Sequence, residues 1–246
     1  MTINLASYER RARDATRLFW QSRAHAARKQ KGSGKADAGE RSAVTAGKNM
    51  DGFVALVQAI AEANGLDASA IHRTKTVVTL PGFFRPTKEW DVLIVNKGNL
   101  VAALEFKSQV GPSFGNNFNN RVEEALGNAT DLWTAFREGA FQTDHRPFLG
   151  YLMFLEDCEK SRTPVTAKSV HFPVLPEFEH VSYAARYELL CRKLVQEGLY
   201  SSACLLVSSK EGGLNGGTEK RWTITEVHKA RPYRDIGTAH YRQISK

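Results

Sequence analysis

The 246-residue chain has only three cysteines and no apolar run long enough to cross a membrane. Cys158, Cys191 and Cys204 are odd in number and lack the spacing of metal ligands, so we expect neither a disulfide framework nor a zinc site. The N-terminal stretch is charged from Tyr8 onward and has no apolar segment of the signal-peptide kind. We therefore expect a reduced, cytoplasmic protein with no membrane segment.

Signatures of several enzyme classes are also missing. The glycine-rich segment 210–217 lacks the Lys-Ser/Thr pair of a phosphate-binding loop, which argues against nucleotide binding. The sequence has no nucleophile elbow and no Cys/His arrangement, which argues against a metal-independent hydrolase. Its remaining indications of function are its charge and the pattern of its strands.

The chain carries an excess of basic residues. Lysine and arginine number 34 against 26 aspartates and glutamates, which gives a formal net charge of +8. This excess favours a polyanionic partner, although many soluble proteins are moderately basic. The length and the 42% hydrophobic content suffice for one large α/β domain, and we expect residues 1–246 to form a single domain.

Residues 88–107 hold the most informative pattern. Two nearly continuous apolar runs, 92–95 and 100–104, flank the turn-forming segment 96–99, which predicts a β-hairpin. Because both runs are apolar throughout, we expect both faces of the hairpin to be covered, as in a central strand of an α/β domain. Charged side chains stand at the ends of these strands: Asp91, Glu105 and Lys107.

The register of the hairpin decides whether these charges meet. Glu105 and Lys107 share a face, because side chains alternate along a strand. A two-residue loop would place Asp91 and Glu105 on opposite faces. A three-residue loop, 96–98, would pair Asp91 with Ala103 and make Glu105 its diagonal neighbour on the same face. We predict the three-residue loop or an equivalent bulge.

Two carboxylates and an ammonium group on one patch suit the hydrolysis of a phosphodiester. The oxygens of Asp91 and Glu105, with the backbone carbonyl of Phe106, form an open ligand set of the kind that holds Mg²⁺. Lys107 would orient or deprotonate the attacking water and offset charge in the transition state. The alternative interpretation is a pair of strand ends whose charges are solvated or ion-paired. Their spacing within one hairpin favours the catalytic interpretation.

The segment after Lys107 is rich in glycine and asparagine and predicts a loop over 108–117. Its amides suit the recognition of base edges, because Asn and Gln pair with adenine and Arg pairs with guanine. Turn geometry and helix capping are the alternative use of such residues. The candidates for base contacts are Gln109, Asn116, Asn117, Asn120 and Arg121, and the candidates for phosphate contacts are Lys48, Arg85 and Lys88.

Periodicity predicts the other elements. A strongly basic helix is expected over about 5–29, where it would lie along DNA, cap a dimer contact or simply be solvated. A mobile glycine-rich loop is expected over about 30–47. Further helices are expected over about 49–65, 120–136 and 183–197, and strands over 74–80, 148–155, 203–208 and 222–227, with 148–155 in a parallel crossover.

The hairpin residues resemble a known nuclease motif. Asp91, a short hairpin and Glu105-Phe106-Lys107 are similar to the PD-(D/E)xK motif, with Trp90 at the position where proline is usual. Over the wider segments 47–53 and 105–121 the sequence resembles the XhoI family of type II restriction endonucleases. The resemblance implies an α/β fold with a mixed central sheet flanked by helices and a PD-(D/E)xK restriction-endonuclease-like core. It also implies an Mg²⁺-dependent homodimer that cuts double-stranded DNA at a palindromic hexanucleotide.

Finer expectations follow from the same resemblance. The target would be CTCGAG if the chain is a true isoschizomer, the ends would carry 5′-phosphates, and the host would carry a cognate DNA methyltransferase. A palindrome needs two active sites related by a two-fold axis, so a symmetric homodimer is expected. Related folds often take an extra acid from the helix before the first strand, and Asp51 and Glu62 are the candidates here.

Two other functions stay open. A repair or recombination nuclease on the same scaffold would read the structure of DNA rather than its sequence, and its digests would lack discrete fragments. A DNA-binding module with vestigial Asp91 and Glu105 would bind DNA equally with and without Mg²⁺ and never cut it.

Overall fold

A computed structural model of the chain describes residues 4–5, 7–32, 49–143, 145–214 and 223–224. Two helices are followed by five strands, and helices then lie between most of the later strands. The helices are α1 Tyr8–Gly32, α2 Asp51–Ala63, α3 Phe114–Arg137, α4 Glu159–Arg162, α5 Tyr183–Gln196 and α6 Lys210–Leu214. The strands are β1 Ile71–His72, β2 Thr79–Pro81, β3 Thr87–Glu89, β4 Val92–Asn96, β5 Asn99–Gln109, β6 Phe148–Glu156, β7 Pro164–Val165, β8 Val181–Ser182, β9 Ser202–Ser208 and β10 Thr223–Ile224.

Six strands form one mixed sheet in the order β1-β4-β5-β6-β9-β10. The central strands β5, β6 and β9 are parallel, and the pairs β1-β4, β4-β5 and β9-β10 are antiparallel. The chain passes from β5 to β6 through helix α3, which is the connection that a parallel pair requires. The predicted α/β class with a mixed central sheet and the predicted parallel crossover are both confirmed.

Helices cover both faces of this sheet and create two apolar clusters. Helices α3 and α5 pack on one face, where Ala125, Leu132 and Leu194 meet Ala103 and Leu149. Helices α1 and α2 pack on the other face, around the residues Phe19, Trp20, Phe53, Leu104, Phe106 and Phe154. In the described part of the chain, no helix is long and apolar enough to cross a membrane.

The helix periods predicted from the sequence are confirmed where they are described. In α3, Ala125, Ala129, Leu132 and Trp133 are all buried, as the 3.6-residue stripe predicts. Helix α5 ends as predicted before Gly198, which has a left-handed φ of 68° that an L side chain rarely adopts.

The segment 74–80 does not form the first strand of the main sheet, so this prediction was wrong. Residues Lys75–Val77 form a 3-10 turn, and β2 pairs with β3 in a separate two-stranded ribbon. Residues 74–77 are all exposed and only Val78 of the run is buried, so the run lacks the sustained two-residue alternation of a half-buried strand. The first strand of the main sheet is β1, which pairs with β4.

The loop predicted over 108–117 is also shorter than expected. Strand β5 stays paired with β6 as far as Gln109, and α3 already begins at Phe114. Phe114 and Phe118 are one helical turn apart and both buried, which draws the asparagine-rich segment into the helix.

Two other predicted segments are only partly described. Helix α1 extends to Gly32, three residues beyond its predicted end, and residues 33–47 of the predicted mobile loop lie outside the described residues. Of the predicted strand 222–227, the structure describes β10, which pairs with β9.

Candidate active site

Strands β4 and β5 are joined by the two-residue loop Lys97-Gly98. Both residues have left-handed φ angles, 51° and 79°, and Asn96 pairs with Asn99 across the turn. Two-residue loops with positive φ match the twist of a hairpin, which explains why this loop forms. The three-residue loop predicted from the sequence was wrong.

A β-bulge corrects the register that this loop alone would impose. Ile94 pairs with Ala102 but Val95 pairs with Leu100, so Val101 is the extra residue on β5. The predicted alternative, an equivalent bulge, is therefore confirmed.

The bulge brings the two carboxylates together. Beyond it Val92 pairs with Leu104, and both side chains lie in the cluster under α1 and α2, so Asp91 and Glu105, the next residues along the two strands, fall on the other face. The amide of Asp91 donates a hydrogen bond to the carbonyl of Leu104 at 3.2 Å. The two carboxylates therefore stand on the same face of the hairpin.

Alternation along β5 places its charged side chains on one face of the sheet and Leu104 and Phe106 on the other. Ala103 faces the cluster under α3 and α5, and Glu105 and Lys107 follow on that side. Leu104 and Phe106 point into the cluster under α1 and α2. Phe106 thus leaves only its backbone at the site, and its amide donates a 2.7 Å hydrogen bond to Oδ2 of Asp91.

Glu105 lies at the centre of the cluster and is only 1% exposed. The Lys107 ammonium lies 2.7 Å from its Oε1, and the Lys88 ammonium lies 3.7 Å from the same oxygen. Lys88 also donates to the carbonyl of Glu89 and lies over the Trp90 ring. Two cations thus converge on one buried carboxylate.

Neutral groups complete the surroundings of Glu105. The Nδ2 of Asn128 donates to both carboxylate oxygens, at 2.8 and 2.7 Å. The Tyr200 hydroxyl lies 3.5 Å from Oε2 and donates to the carbonyl of Ala125 at 3.2 Å. The carboxylate is held on several sides by donors.

The two carboxyl groups have pKa values shifted in opposite directions. Burial would raise the pKa of Glu105, but the ammonium groups of Lys107 and Lys88 and the hydrogen bonds from Lys107 and Asn128 lower it below its usual value. Burial raises the pKa of Asp91, and the hydrogen bond from Phe106 and the charge of Lys107 only partly offset this effect. The surroundings therefore stabilise the ionised form of Glu105 and destabilise the ionised form of Asp91.

The two lysines also differ. Burial would lower the pKa of Lys107, but the neighbouring Glu105 carboxylate raises it above the usual value. Burial lowers the pKa of Lys88, and the more distant Glu105 carboxylate only partly compensates. The closer lysine is therefore the more firmly protonated one.

The donor set fits a hard divalent cation. Asp91 and Glu105 offer carboxylate oxygens of the kind that Mg²⁺ binds, and the backbone of Phe106 lies next to Asp91, to which its amide donates. A bound cation would stabilise the ionised form of Asp91, which burial destabilises. Within the described residues no three His, Cys, Asp or Glu side chains group around one point.

Arg85 lies close to this cluster, and its side chain points inward. Its Nε lies 2.7 Å from Oδ2 of Asp131, and its Nη2 donates to Oδ1 of Asn128 at 2.7 Å. A phosphate contact by Arg85 stays a prediction, as does one by Lys48, which lies outside the described residues.

The residues proposed to read bases divide into one buried and four more accessible ones. The Gln109 side chain is buried and donates to the carbonyls of Val110 and Ser113, which fixes the turn before α3. The other four lie in the first two turns of α3, on the helix that covers the carboxylates: Asn116, Asn117, Asn120 and Arg121. Base contacts by all five stay predictions.

The candidate accessory acids lie on helix α2. This helix packs through Phe53 and Val54 against the face of the sheet away from Glu105, and the exposed Glu62 accepts a hydrogen bond from Gln58. Asp51 begins the same helix. The structure does not bring either acid into the cluster around Glu105, and an accessory role for either stays a prediction.

Three residues of the site were missed by the reasoning from sequence: Asn128, Asp131 and Tyr200. Asn128 and Asp131 are buried between Ala125, Ala129 and Leu132, so they interrupt the apolar stripe of α3 with polar groups. A buried polar residue must find partners, and this interruption was a signal that could have found them. Tyr200 had no comparable signal.

Comparisons with known proteins agree with this geometry. The model of the family described as restriction endonuclease XhoI matches residues 29–219. The type II restriction enzyme BstVI of Geobacillus stearothermophilus is 54% identical over 189 residues, which cover 75% of this chain and 84% of that enzyme. The type II restriction enzyme XhoI of Xanthomonas vasicola is 51% identical over 199 residues, 80% of this chain and 79% of that enzyme.

A third relative extends the pattern. The type II restriction enzyme AbrI of Azospirillum brasilense is 57% identical over 172 residues, 70% of this chain and 77% of that enzyme. No solved structure gives a significant match. The family model covers most of the chain, and three restriction enzymes share more than half of the aligned residues with it. The chain therefore belongs to the XhoI family of type II restriction endonucleases and is a site-specific deoxyribonuclease.

Proposed function

We propose that this endonuclease cleaves double-stranded DNA with Mg²⁺, and that Asp91, Glu105 and Lys107 form its catalytic cluster. Type II restriction endonucleases generally use a divalent metal ion. One observation carries the proposal: the bulged hairpin brings two carboxylates to the same face, with an ammonium group 2.7 Å from one of them. Solvated strand ends would not bury Glu105 almost completely between two cations.

Each residue has a distinct part in the proposed reaction. The carboxylates of Asp91 and Glu105 and the carbonyl of Phe106 would hold the ion. When bound, Mg²⁺ offsets the negative charge that develops on the phosphoryl oxygens in the transition state. The Lys107 ammonium orients the attacking water and adds a second positive charge on the same face.

The products follow from the direction of attack. Water attacks the scissile phosphorus, the bond from phosphorus to the 3′-oxygen breaks, and the 3′-oxygen leaves as a hydroxyl. One strand end then carries the 5′-phosphate and the other the 3′-hydroxyl. We propose CTCGAG as the target because of the resemblance of residues 47–53 and 105–121 to the XhoI family.

The proposed partners follow from a palindromic target. Two equivalent strands are cut by two active sites related by a two-fold axis, so the working unit is a homodimer. A cognate DNA methyltransferase in the same host would protect the host's own sites, and both enzymes would act in the cytoplasm, where the host DNA lies.

The experiment that tests this function compares two plasmids that differ at one site. One carries a single CTCGAG, and the other carries the same bases in scrambled order. With Mg²⁺ the first plasmid becomes linear, the second stays circular, and EDTA stops the reaction. The linear product religates without prior phosphorylation if its ends carry 5′-phosphates.

Other outcomes of the same digest contradict specific parts of the proposal. Discrete cutting at another sequence would replace the target and keep the chemistry. A smear from both plasmids would indicate a nuclease that reads DNA structure. Binding of DNA without cutting, equal with Mg²⁺ and EDTA, would leave only a DNA-binding module.

A further inference from the structure

The clearest feature that the proposed reaction does not yet use is a chain of hydrogen bonds behind Glu105. Asn128 lies on α3 and is only 6% exposed. One amide nitrogen, Nδ2, donates to both oxygens of the Glu105 carboxylate, at 2.8 and 2.7 Å. A donor shared in this way fixes the plane of the carboxylate as well as its position.

The orientation of the Asn128 amide is set from its other side. Its Oδ1 accepts a 2.7 Å hydrogen bond from Nη2 of Arg85. A guanidinium group only donates, so the amide oxygen must face Arg85 and the amide nitrogen must face Glu105. The flipped amide would place two donors against each other at Arg85 and an acceptor against the carboxylate.

Arg85 is in turn held by a buried acid. Its Nε lies 2.7 Å from Oδ2 of Asp131, whose Oδ1 accepts the amides of Phe83 and Phe84, each at 2.8 Å. The turn packs closely against this acid, because a Cβ on Gly82 would lie 2.7 Å from Oδ2 of Asp131. The β2–β3 turn, residues 82–86, therefore anchors the arginine that orients Asn128.

We propose that Asn128, anchored by Arg85, is a positioning residue that sets the Glu105 carboxylate for the metal ion. The inference rests on the proposed function, because it assumes that Glu105 is a ligand. A neutral amide is suited to orienting the Glu105 carboxylate. Lys107 and Lys88 already offset the charge of Glu105, and a third cation would weaken its hold on Mg²⁺, whereas an amide orients the oxygens and leaves the charge intact.

Arg85 then has a structural role, to orient Asn128, in place of the phosphate contact predicted from the sequence. An arginine whose Nε and Nη2 are committed to Asp131 and Asn128 acts on the metal site through Asn128. Loss of Arg85 is then expected to change metal binding and kcat more than the affinity for DNA. Loss of a phosphate contact would do the reverse.

The test measures Mn²⁺ binding to the full-length chain by electron paramagnetic resonance, which detects the free ion and needs no turnover. Glu105→Ala defines binding outside the site. Asn128→Ala is expected to weaken Mn²⁺ binding by about 10- to 100-fold and to lower kcat at an unchanged Kd for DNA. Asn49→Ala is the matched control, because Asn49 is also 6% exposed but precedes α2 on the other face of the sheet.

A double-mutant cycle tests the anchor. Arg85→Ala alone is expected to weaken Mn²⁺ binding less than Asn128→Ala does, and to add little once Asn128 is gone, because it acts through that residue. Additive effects would overturn the anchor. If Asn128→Ala does not fold, Arg85→Ala carries the test, since its side chain is 40% exposed and its loss leaves Asn128 in place.

The outcomes separate this inference from the function on which it rests. Wild-type binding equal to that of Glu105→Ala would overturn both the proposed metal site and the positioning part. A loss in Glu105→Ala, combined with wild-type Mn²⁺ affinity in a folded Asn128→Ala, would overturn the positioning part alone.

Discussion

Both faces of the central sheet bury apolar side chains, but among the described residues only one of them also buries acidic groups. Under α1 and α2 the core is aromatic, with the Phe154 ring 4.1 Å from that of Phe19 and 5.7 Å from that of Phe53. Under α3 and α5 the sheet also buries Glu105 and Asp131, which are the only acidic side chains among the buried residues that the structure describes. Strand β5 contributes to both faces through alternate residues.

The difference lies in what each kind of burial requires. Burial of rings without charge is favourable at any pH and needs no partner. Burial of carboxylates requires matched donors, and removal of one partner leaves an uncompensated group. Substitutions of the rings under α1 and α2 should therefore change chiefly the free energy of unfolding, and substitutions in the charged cluster around Glu105 should also change cleavage.

The largest effect is expected from Lys107→Ala on the charged face. The variant loses the ammonium group next to Glu105, and we expect the single-turnover cleavage rate at saturating DNA to fall by about 10²–10³-fold. The control is Lys210→Ala, because Lys210 is exposed on α6 and far in sequence from the hairpin. Equal rates for the two variants would contradict a catalytic part for Lys107.

The apolar face should show the opposite pattern. Phe53→Ala is expected to lower the free energy of unfolding by about 3–5 kcal/mol, because it opens a cavity among packed rings. Urea titration measures this loss, and Phe172→Ala, at a 77% exposed position, provides the control. The folded fraction of Phe53→Ala should cut DNA at a rate within about twofold of wild type. A much slower rate would contradict the claim that the rings under α1 and α2 affect stability and not cleavage.

A smaller effect is expected at the exposed start of α3. If Asn120 reads a base edge, Asn120→Ala should weaken binding to the target duplex by about 1–3 kcal/mol and binding to a scrambled duplex by much less. Fluorescence anisotropy with the two duplexes measures the difference. Equal losses on both duplexes would mean that Asn120 contributes no base contact.

The smallest effect is a pH-dependent one, and the two carboxylates should show it with opposite signs. Because burial raises the pKa of Asp91, the folded chain holds this proton more tightly than the unfolded chain does. Stability from Asp91 is then present at acid pH and is lost as the pH rises through the folded pKa. Asp91→Asn should therefore stabilise the protein at neutral pH, and this gain should shrink as the pH falls.

Glu105 should behave in the opposite way. Its lowered pKa means that the ionised carboxylate stabilises the fold above its unfolded pKa, and that this stability is lost as the pH falls through the folded pKa. Glu105→Gln should therefore destabilise the protein at neutral pH. Urea titrations from acid to neutral pH measure both variants, and the same sign for both would contradict the assigned electrostatics.

Much of the fold follows from periodicity in the sequence. The stripe of α3 and the apolar runs of β5, β6 and β9 are long and regular, so burial of one face or of both dictates their structure. The short elements could not be predicted in this way. Val78 is buried by contacts with residues distant in sequence, and a β-propensity pattern over 74–80 cannot distinguish a ribbon from a sheet strand.

The charged cluster on the hairpin was predictable in its residues but not in its geometry. Asp91, Glu105 and Lys107 are recognisable because charges are rare in buried strands. The length of the loop and the presence of the bulge each shift the pairing of β4 with β5 by one residue. The turn residues alone do not determine which of these shifts occurs. Asn128 is 23 residues from Glu105 in the sequence, and only the packing of α3 on β5 brings the two side chains together.

One digest tests most directly the claim that Asp91 and Glu105 face each other to hold a catalytic ion. Wild type, Asp91→Ala and Asp67→Ala are incubated with plasmid and Mg²⁺, and wild type also with EDTA. Asp67 is the matched control, because it caps an exposed 3-10 turn. The account predicts discrete fragments from wild type and Asp67→Ala and intact plasmid from Asp91→Ala and in EDTA. Discrete fragments from Asp91→Ala at the wild-type rate would contradict it.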